Sequence, residues 1–132
     1  MKNSLRAITL KLHIDSDIEI KSYQNELSQV ILIILQNAIE AIKESGVTHN
    51  VITVTTYEDK NRVSIEIEDS ASGINPEYLE RIFEPYFSTK KENAGTGLGL
   101  YIAKIIMERS LKGRISVSNR ENGAVFKLTL PT

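Results

Sequence analysis

The sequence has no cysteine and no tryptophan, and only two histidines and three prolines in 132 residues. Without cysteine there is no disulfide and no thiolate metal site, and the chain is compatible with a reducing compartment. His13 and His49 are too few and too scattered to build a metal cluster. The longest unbroken apolar run, VILIIL at 30–35, falls far short of the roughly 20 residues that a membrane-spanning helix needs. The N-terminal MKNSLRAITLK alternates polar and apolar positions instead of forming a signal-peptide core. Neither sign of charge dominates. Sixteen basic residues stand against seventeen acidic ones for a net charge of −1, so no overall field favours nucleic acid or an anionic membrane. The expectation is a soluble, cytoplasmic chain forming one domain over 1–132, long enough to bury a core.

What is present is a sequence of recognisable periods. AITLKLHI (7–14) alternates as a strand with one buried face does. From 22 to 46 the residues Leu27, Val30, Ile31, Ile34, Ala38, Ala41 and Ile42 recur at spacings of three and four, and Gly46 supplies a stop, which predicts a long helix. Its centre is apolar all round, as in a helix covered on more than one side. VITVTTY (51–57) and RVSIEIED (62–69) read as two strands joined by the charged turn EDKN. Pro76 opens a short helix, PEYLERIF. Residues 84–96 lack a period and read as a long loop. A further helix is expected from about 97 to 110, followed by the strands GRISVSN and AVFKLTL. Strands and helices mix without strict alternation, which points to an α/β two-layer sandwich with helices on one face of a mixed sheet.

Four features carry possible chemistry. Asn37 stands within the apolar IILQNAIEAI, where a buried amide needs partners; it is either a satisfied amide or a neutral oxygen ligand for magnesium held mainly by phosphates and water. Asp69 closes the strand of IEDSASGI, where its carboxylate could accept a hydrogen bond from an exocyclic amine, and Gly73 would let the backbone pass close to a flat ring. A plain strand-to-turn aspartate is the alternative. In IFEPYFSTKK, Phe83 and Phe87 could anchor a loop while Lys90 and Lys91 offer charge to phosphates; solvated lysines are the alternative. Finally, Gly95, Thr96, Gly97 and Gly99 run into a helix whose free N–H groups favour an anion. This stretch matches neither the G-x-x-x-x-G-K-[ST] loop nor the dinucleotide fingerprint.

In this order and spacing, the four features resemble the ATP-binding catalytic domain of sensor histidine kinases, in the superfamily that also holds gyrase, Hsp90 and MutL. NAIEAI is similar to the asparagine box, DSASGI to the first glycine box, FEPYF to the phenylalanine box, GTGLGLYIAK to the second glycine box and NGAVFKLTLP to the closing strand. The resemblance covers essentially the whole chain. It implies a mixed five-stranded sheet backed by about three helices, a Bergerat-type ATP-binding fold, and a lid whose glycines close over the ATP phosphates. It implies ATP and Mg2+ as cofactors, Asn37 as magnesium ligand and catalytic residue, and Asp69 as reader of the adenine amine. Gly73 and Ile74 would line the adenine pocket. Thr89, Lys90, Gly95, Thr96, Gly97, Leu98, Gly99 and Leu100 would form or flank the phosphate side, with Lys90 also assisting catalysis.

Three positions depart from the family's pattern. Ile33 stands one turn before Asn37, where kinases carry a second asparagine and the ATPase relatives a glutamate base; isoleucine can neither ligate metal nor activate water. Ala71 replaces the first glycine of D-x-G-x-G, and its methyl group either fits at negative φ or crowds the adenine edge. Glu40 falls where many kinases place a phosphate-contacting lysine. The resemblance also implies a phosphate-accepting histidine, and neither His13 nor His49 lies in a suitable context. The chain is therefore expected to be the catalytic domain of a longer sensor kinase, monomeric by itself, whose parent could be membrane-anchored. Its partners would be a histidine-bearing dimerisation domain and, indirectly, a response regulator. A degenerate nucleotide- or partner-binding domain and an anti-sigma-type serine kinase are the alternatives.

Overall fold

A computed structural model describes residues 7–15, 18–19, 22–46, 50–87, 97–121 and 123–131. His49, Thr89, Lys90, Lys91, Gly95 and Thr96 lie outside the described residues.

Five strands form one sheet: β1 (Thr9–His13), β2 (Val51–Asp59), β3 (Arg62–Asp69), β4 (Arg114–Arg120) and β5 (Gly123–Pro131), in the order β1-β2-β3-β5-β4. β1 and β2 are parallel and every other pair is antiparallel, so the sheet is mixed as expected. A parallel pair needs a crossover, and helix α1 (Gln24–Ser45) supplies it. Gly46 ends α1 at φ +72, the left-handed conformation that glycine adopts without a steric penalty. The β2–β3 hairpin turns on Lys60 and Asn61, whose φ values of 44° and 61° match the strand twist of a tight two-residue turn.

The core lies between α1 and the sheet. Val30, Ile34, Ala38 and Ile42 recur every fourth residue and are buried. They face Ile65 and Ile67 of β3, paired in register with Leu128 and Phe126 of β5. Met107 and Ala103, on the helix near the C-terminus, close the same core. The opposite face of the sheet is polar: Arg120 bridges Glu66 at 2.8 Å and Glu68 at 3.0 Å, and the Tyr57 hydroxyl donates to Glu66 at 2.9 Å.

Two expectations need correction. The N-terminal alternation predicts a buried face on β1, yet Leu10 and Leu12 are 54% and 55% exposed. β1 is an edge strand and α1 packs over β3, so Ile8 alone of that stripe reaches the core. The centre of α1 is covered on more than one side, as expected, by the sheet and by the helix near the C-terminus, while Leu32 faces outward at 58% exposed.

The helix count differs too: the described residues hold two α-helices rather than about three. PEYLERIF forms a 3-10 turn at Pro76–Tyr78, capped by the Asn75 side chain accepting from Glu77 N–H at 3.0 Å. A run of turns follows it, with bonds such as Arg81 N–H to Tyr78 O and Glu84 N–H to Arg81 O. With Pro76 and Pro85 at its two ends, the segment is too short for a sustained α-helix. The later helix is α2 (Gly99–Ile105), and its last turn widens into a π-helical turn over Ile106–Ser110, where Leu111 N–H bonds Ile106 O at 3.0 Å.

Candidate functional site

α1, the 70–75 loop after β3, the turns at 76–82 and the start of α2 enclose a cavity of about 330 Å³. The helical period decides what α1 contributes: Asn37, Ala41, Glu44 and Ser45 stand one and two turns apart on one face. The loop contributes Ala71, Ser72, Gly73, Ile74 and Asn75; the turns contribute Tyr78 and Ile82; α2 contributes Leu100. Asn37 is half-buried, and its side chain makes no hydrogen bond to another described residue. An amide facing a cavity without an internal partner is available to a ligand.

Asp69 ends β3 beneath this loop and is 4% exposed. Its Oδ1 accepts from Ala71 N–H at 3.0 Å and Ala124 N–H at 3.3 Å. Among the described residues, none donates to Oδ2. Burial pushes the carboxyl above its ordinary value and the neighbouring Glu68 charge adds to that, while the two backbone N–H groups pull it down. One oxygen is thus anchored by the fold, and the other is left for a donor.

Ala71 adopts negative φ, is buried and lines the cavity wall. Of the two outcomes open for its methyl group, the backbone conformation takes the one that alanine fits. Gly73 has φ +85, so glycine is required there on conformational grounds. Ile33 lies outside the cavity; its Cγ2 would stand 3.4 Å from a Cβ on Gly99, packing α1 against the start of α2.

Aromatic contacts anchor the phenylalanine segment. Phe83 meets Phe126 edge to face at 6.2 Å, and Phe87 tilts against Tyr78 at 5.4 Å with the Arg81 guanidinium 4.6 Å from its ring centre. Tyr86 N–H donates to Gly97 O at 2.9 Å. Gly97 has φ +73, and a Cβ on it would fall 2.8 Å from the Tyr86 backbone. The close neighbour of this glycine is therefore the chain itself, joining residues 86 and 97 on either side of the 88–96 segment. Leu98 precedes α2, its carbonyl accepting from Ile102 N–H at 2.9 Å, and Gly99 is the first residue of that helix.

Of the residues singled out in the sequence, Asn37, Gly73, Ile74 and Leu100 therefore share one cavity. Asp69 underlies it, and Gly97, Leu98 and Gly99 lie at the approach to α2. The sequence reading missed Ala41, Glu44, Tyr78 and Ile82, although Asn37–Ala41 and Tyr78–Ile82 are four-residue spacings that place both members on one side of a turn. It also missed Asn119 and Gly123, for which no local pattern points to a site.

Residues 22–132 match the family described as histidine kinase-, DNA gyrase B-, and HSP90-like ATPase. The chain belongs to this family. Within it, the sequence is 45% identical over 114 residues to the sensor histidine kinase ZraS of Escherichia coli O157:H7, covering 86% of this chain and 23% of ZraS. The chain thus spans about a quarter of that relative's length. The catalytic domain of the histidine kinase ThkA superposes with a TM-score of 0.83 at 35% identity, covering 98% of this chain and 82% of that one. ThkA in complex with the response regulator protein TrrA gives a TM-score of 0.78 at 31% identity, with 98% and 36% covered. The α/β fold with its mixed five-stranded sheet is that of histidine kinase catalytic domains. No helix among the described residues is long and apolar enough to cross a membrane.

Proposed function

We propose that this domain binds ATP in the cavity beside α1 and donates the γ-phosphate to a histidine on a separate helical dimerisation domain. The observation that carries the reading is the meeting of Asn37, Gly73, Ile74 and Leu100 around one cavity, above a buried carboxylate with one oxygen uncommitted. Oδ2 of Asp69 accepts from the adenine amine, and Gly73 and Ile74 lie against the ring.

Asn37 supplies an oxygen ligand to Mg2+. Its unpaired amide suits a hard cation that keeps water and phosphate oxygens as its other ligands. The phosphate oxygens and water that complete such a site would arrive with the nucleotide. Magnesium, when bound, neutralises phosphate charge.

Thr89, Lys90, Gly95, Thr96, Gly97, Leu98 and Gly99 are assigned to the phosphate side by their motif. Lys90 offers positive charge there, in a reaction governed by positioning and electrostatics. In the transfer, the bond from the γ-phosphorus to the ADP oxygen breaks as a P–N bond forms to the acceptor imidazole. A response regulator is the onward partner; ThkA, which this chain resembles, is known in complex with one.

The test supplies Mg-ATP labelled at the γ-phosphate together with a histidine-bearing helical domain. Acid-labile label on that domain is the expected result. Acid-stable label, or label on His13 or His49 of this chain, overturns the proposal.

A further inference from the structure

Asn119 is the residue of β4 opposite Ala124 in the β4–β5 ladder. Its carboxamide pairs with both backbone groups of one residue, as a residue of a neighbouring strand would. Oδ1 accepts from Ile74 N–H at 2.8 Å, and Nδ2 donates to Ile74 O at 2.6 Å. The paired partners fix which atom of the amide is oxygen and which is nitrogen. The two residues are 45 apart in sequence, so the contact joins the sheet's far hairpin to the cavity loop. The same side chain also lies against the loop one residue earlier. A Cβ on Gly73 would fall 3.0 Å from Asn119 Oδ1, and the backbone there holds φ +85.

The neighbouring residue Ala124 directs its N–H to Asp69. One rung of the ladder, Asn119 with Ala124, therefore holds both the Gly73–Ile74 backbone and the Asp69 carboxylate. Asn119 does not line the cavity itself.

We infer that Asn119 is a positioning residue for nucleotide binding, fixing the Ile74 backbone beside Gly73 at the height at which the adenine ring is received. The inference rests on the ATP reading of the cavity. Both hydrogen bonds are exposed to solvent, so their loss affects the placement of the loop far more than the stability of the fold.

The test is ADP binding with Mg2+, by calorimetry, to the wild-type domain and three variants, beside the melting temperature of each. Asn119→Ala should weaken ADP binding about tenfold, as loss of two oriented hydrogen bonds implies, with little change in melting temperature. In Asn119→Asp the carboxylate still accepts from Ile74 N–H but turns a second acceptor toward Ile74 O. Protonation restores a donor at that place. Its affinity deficit relative to wild type should therefore shrink as the pH falls through the carboxylate range, whereas the Asn119→Ala deficit stays constant.

A pH-independent deficit in Asn119→Asp, wild-type affinity in Asn119→Ala, or a large drop in melting temperature overturns the inference. Asp69→Asn separates this inference from the ATP reading beneath it. If Asp69→Asn loses affinity while Asn119→Ala does not, the positioning role alone fails. If wild type binds no nucleotide, or neither variant changes affinity, the ATP reading fails as well.

Discussion

A Cβ built on Gly123 would fall 2.7 Å from Oδ1 of Asp69 and closer still to the Asp69 carbonyl oxygen. The missing side chain at the start of β5 is what lets the hairpin backbone lie against this carboxylate, with Ala124 N–H reaching Oδ1 at 3.3 Å. Ala71 O would lie 3.0 Å from the same Cβ, so the contact involves the backbone on both sides of Ser70 and has no flexible side chain to yield. Gly123→Ala should therefore destabilise the fold by about 1–3 kcal/mol, the usual cost of overpacking. Its remaining folded fraction should bind ADP more weakly, because Asp69 moves. Urea unfolding followed by ADP titration checks both.

The raised carboxyl of Asp69 gives a pH prediction with a definite sign. Between its ordinary value of 3.8 and the raised value, the folded domain holds the proton more tightly than the unfolded chain does. Stability contributed by this group is thus fully present at low pH and is lost as pH rises through the raised value. Relative to Asp69→Asn, the unliganded wild type should lose ground as the pH is raised through that window. Nucleotide affinity should run the other way, falling as protonation removes the carboxylate that accepts from adenine. Urea unfolding and ADP titration across the acid range measure the two slopes.

Gly97 and Gly99 should respond differently to the same substitution. Gly97→Ala meets both a positive φ and the Tyr86 backbone at 2.8 Å, and should cost more than about 1 kcal/mol. Gly99 has only Ile33 Cγ2 at 3.4 Å, an ordinary van der Waals contact, and lies within α2. Gly99→Ala should be neutral or stabilising by up to about 1 kcal/mol in the unliganded domain. Melting temperatures of the two variants decide it.

On α1, Ile34→Ala empties a fully buried site in the core and should cost about 2–5 kcal/mol. Leu32→Ala, two residues away and mostly exposed, should stay within about 0.5 kcal/mol. Equal losses would mean that the outer side of the helix is covered.

Periodicity was enough to read α1, the β2–β3 hairpin and the two last strands, because each buries a regular stripe that alternation or a four-residue spacing reveals. It misled at β1: Leu10 and Leu12 alternate as core residues do, and only the strand order shows that an edge position leaves them outside. PEYLERIF opens on Pro76 as a helix can, but its short length and Pro85 two residues beyond it favour turns. The site divides along similar lines. Asn37, Asp69, Gly73 and Leu100 belong to compact motifs, whereas Asn119 and Gly123 act through contacts some 45 to 55 residues distant in sequence. Nothing in the residues around Asn119 marks its bond to Ile74. Gly97 stands out in the sequence only as part of a glycine motif, and its close approach to the backbone of Tyr86 is visible only in the fold.

The most direct test of the account is to locate nucleotide on the folded domain by two-dimensional NMR of its backbone amides during titration with ADP and Mg2+. Adenine against Asp69 predicts saturable shifts concentrated at Ala71, Ser72, Gly73, Ile74 and Leu100, with β1 unaffected, and their loss in Asp69→Asn. Shifts centred elsewhere, or an unchanged spectrum at millimolar ADP, would contradict it.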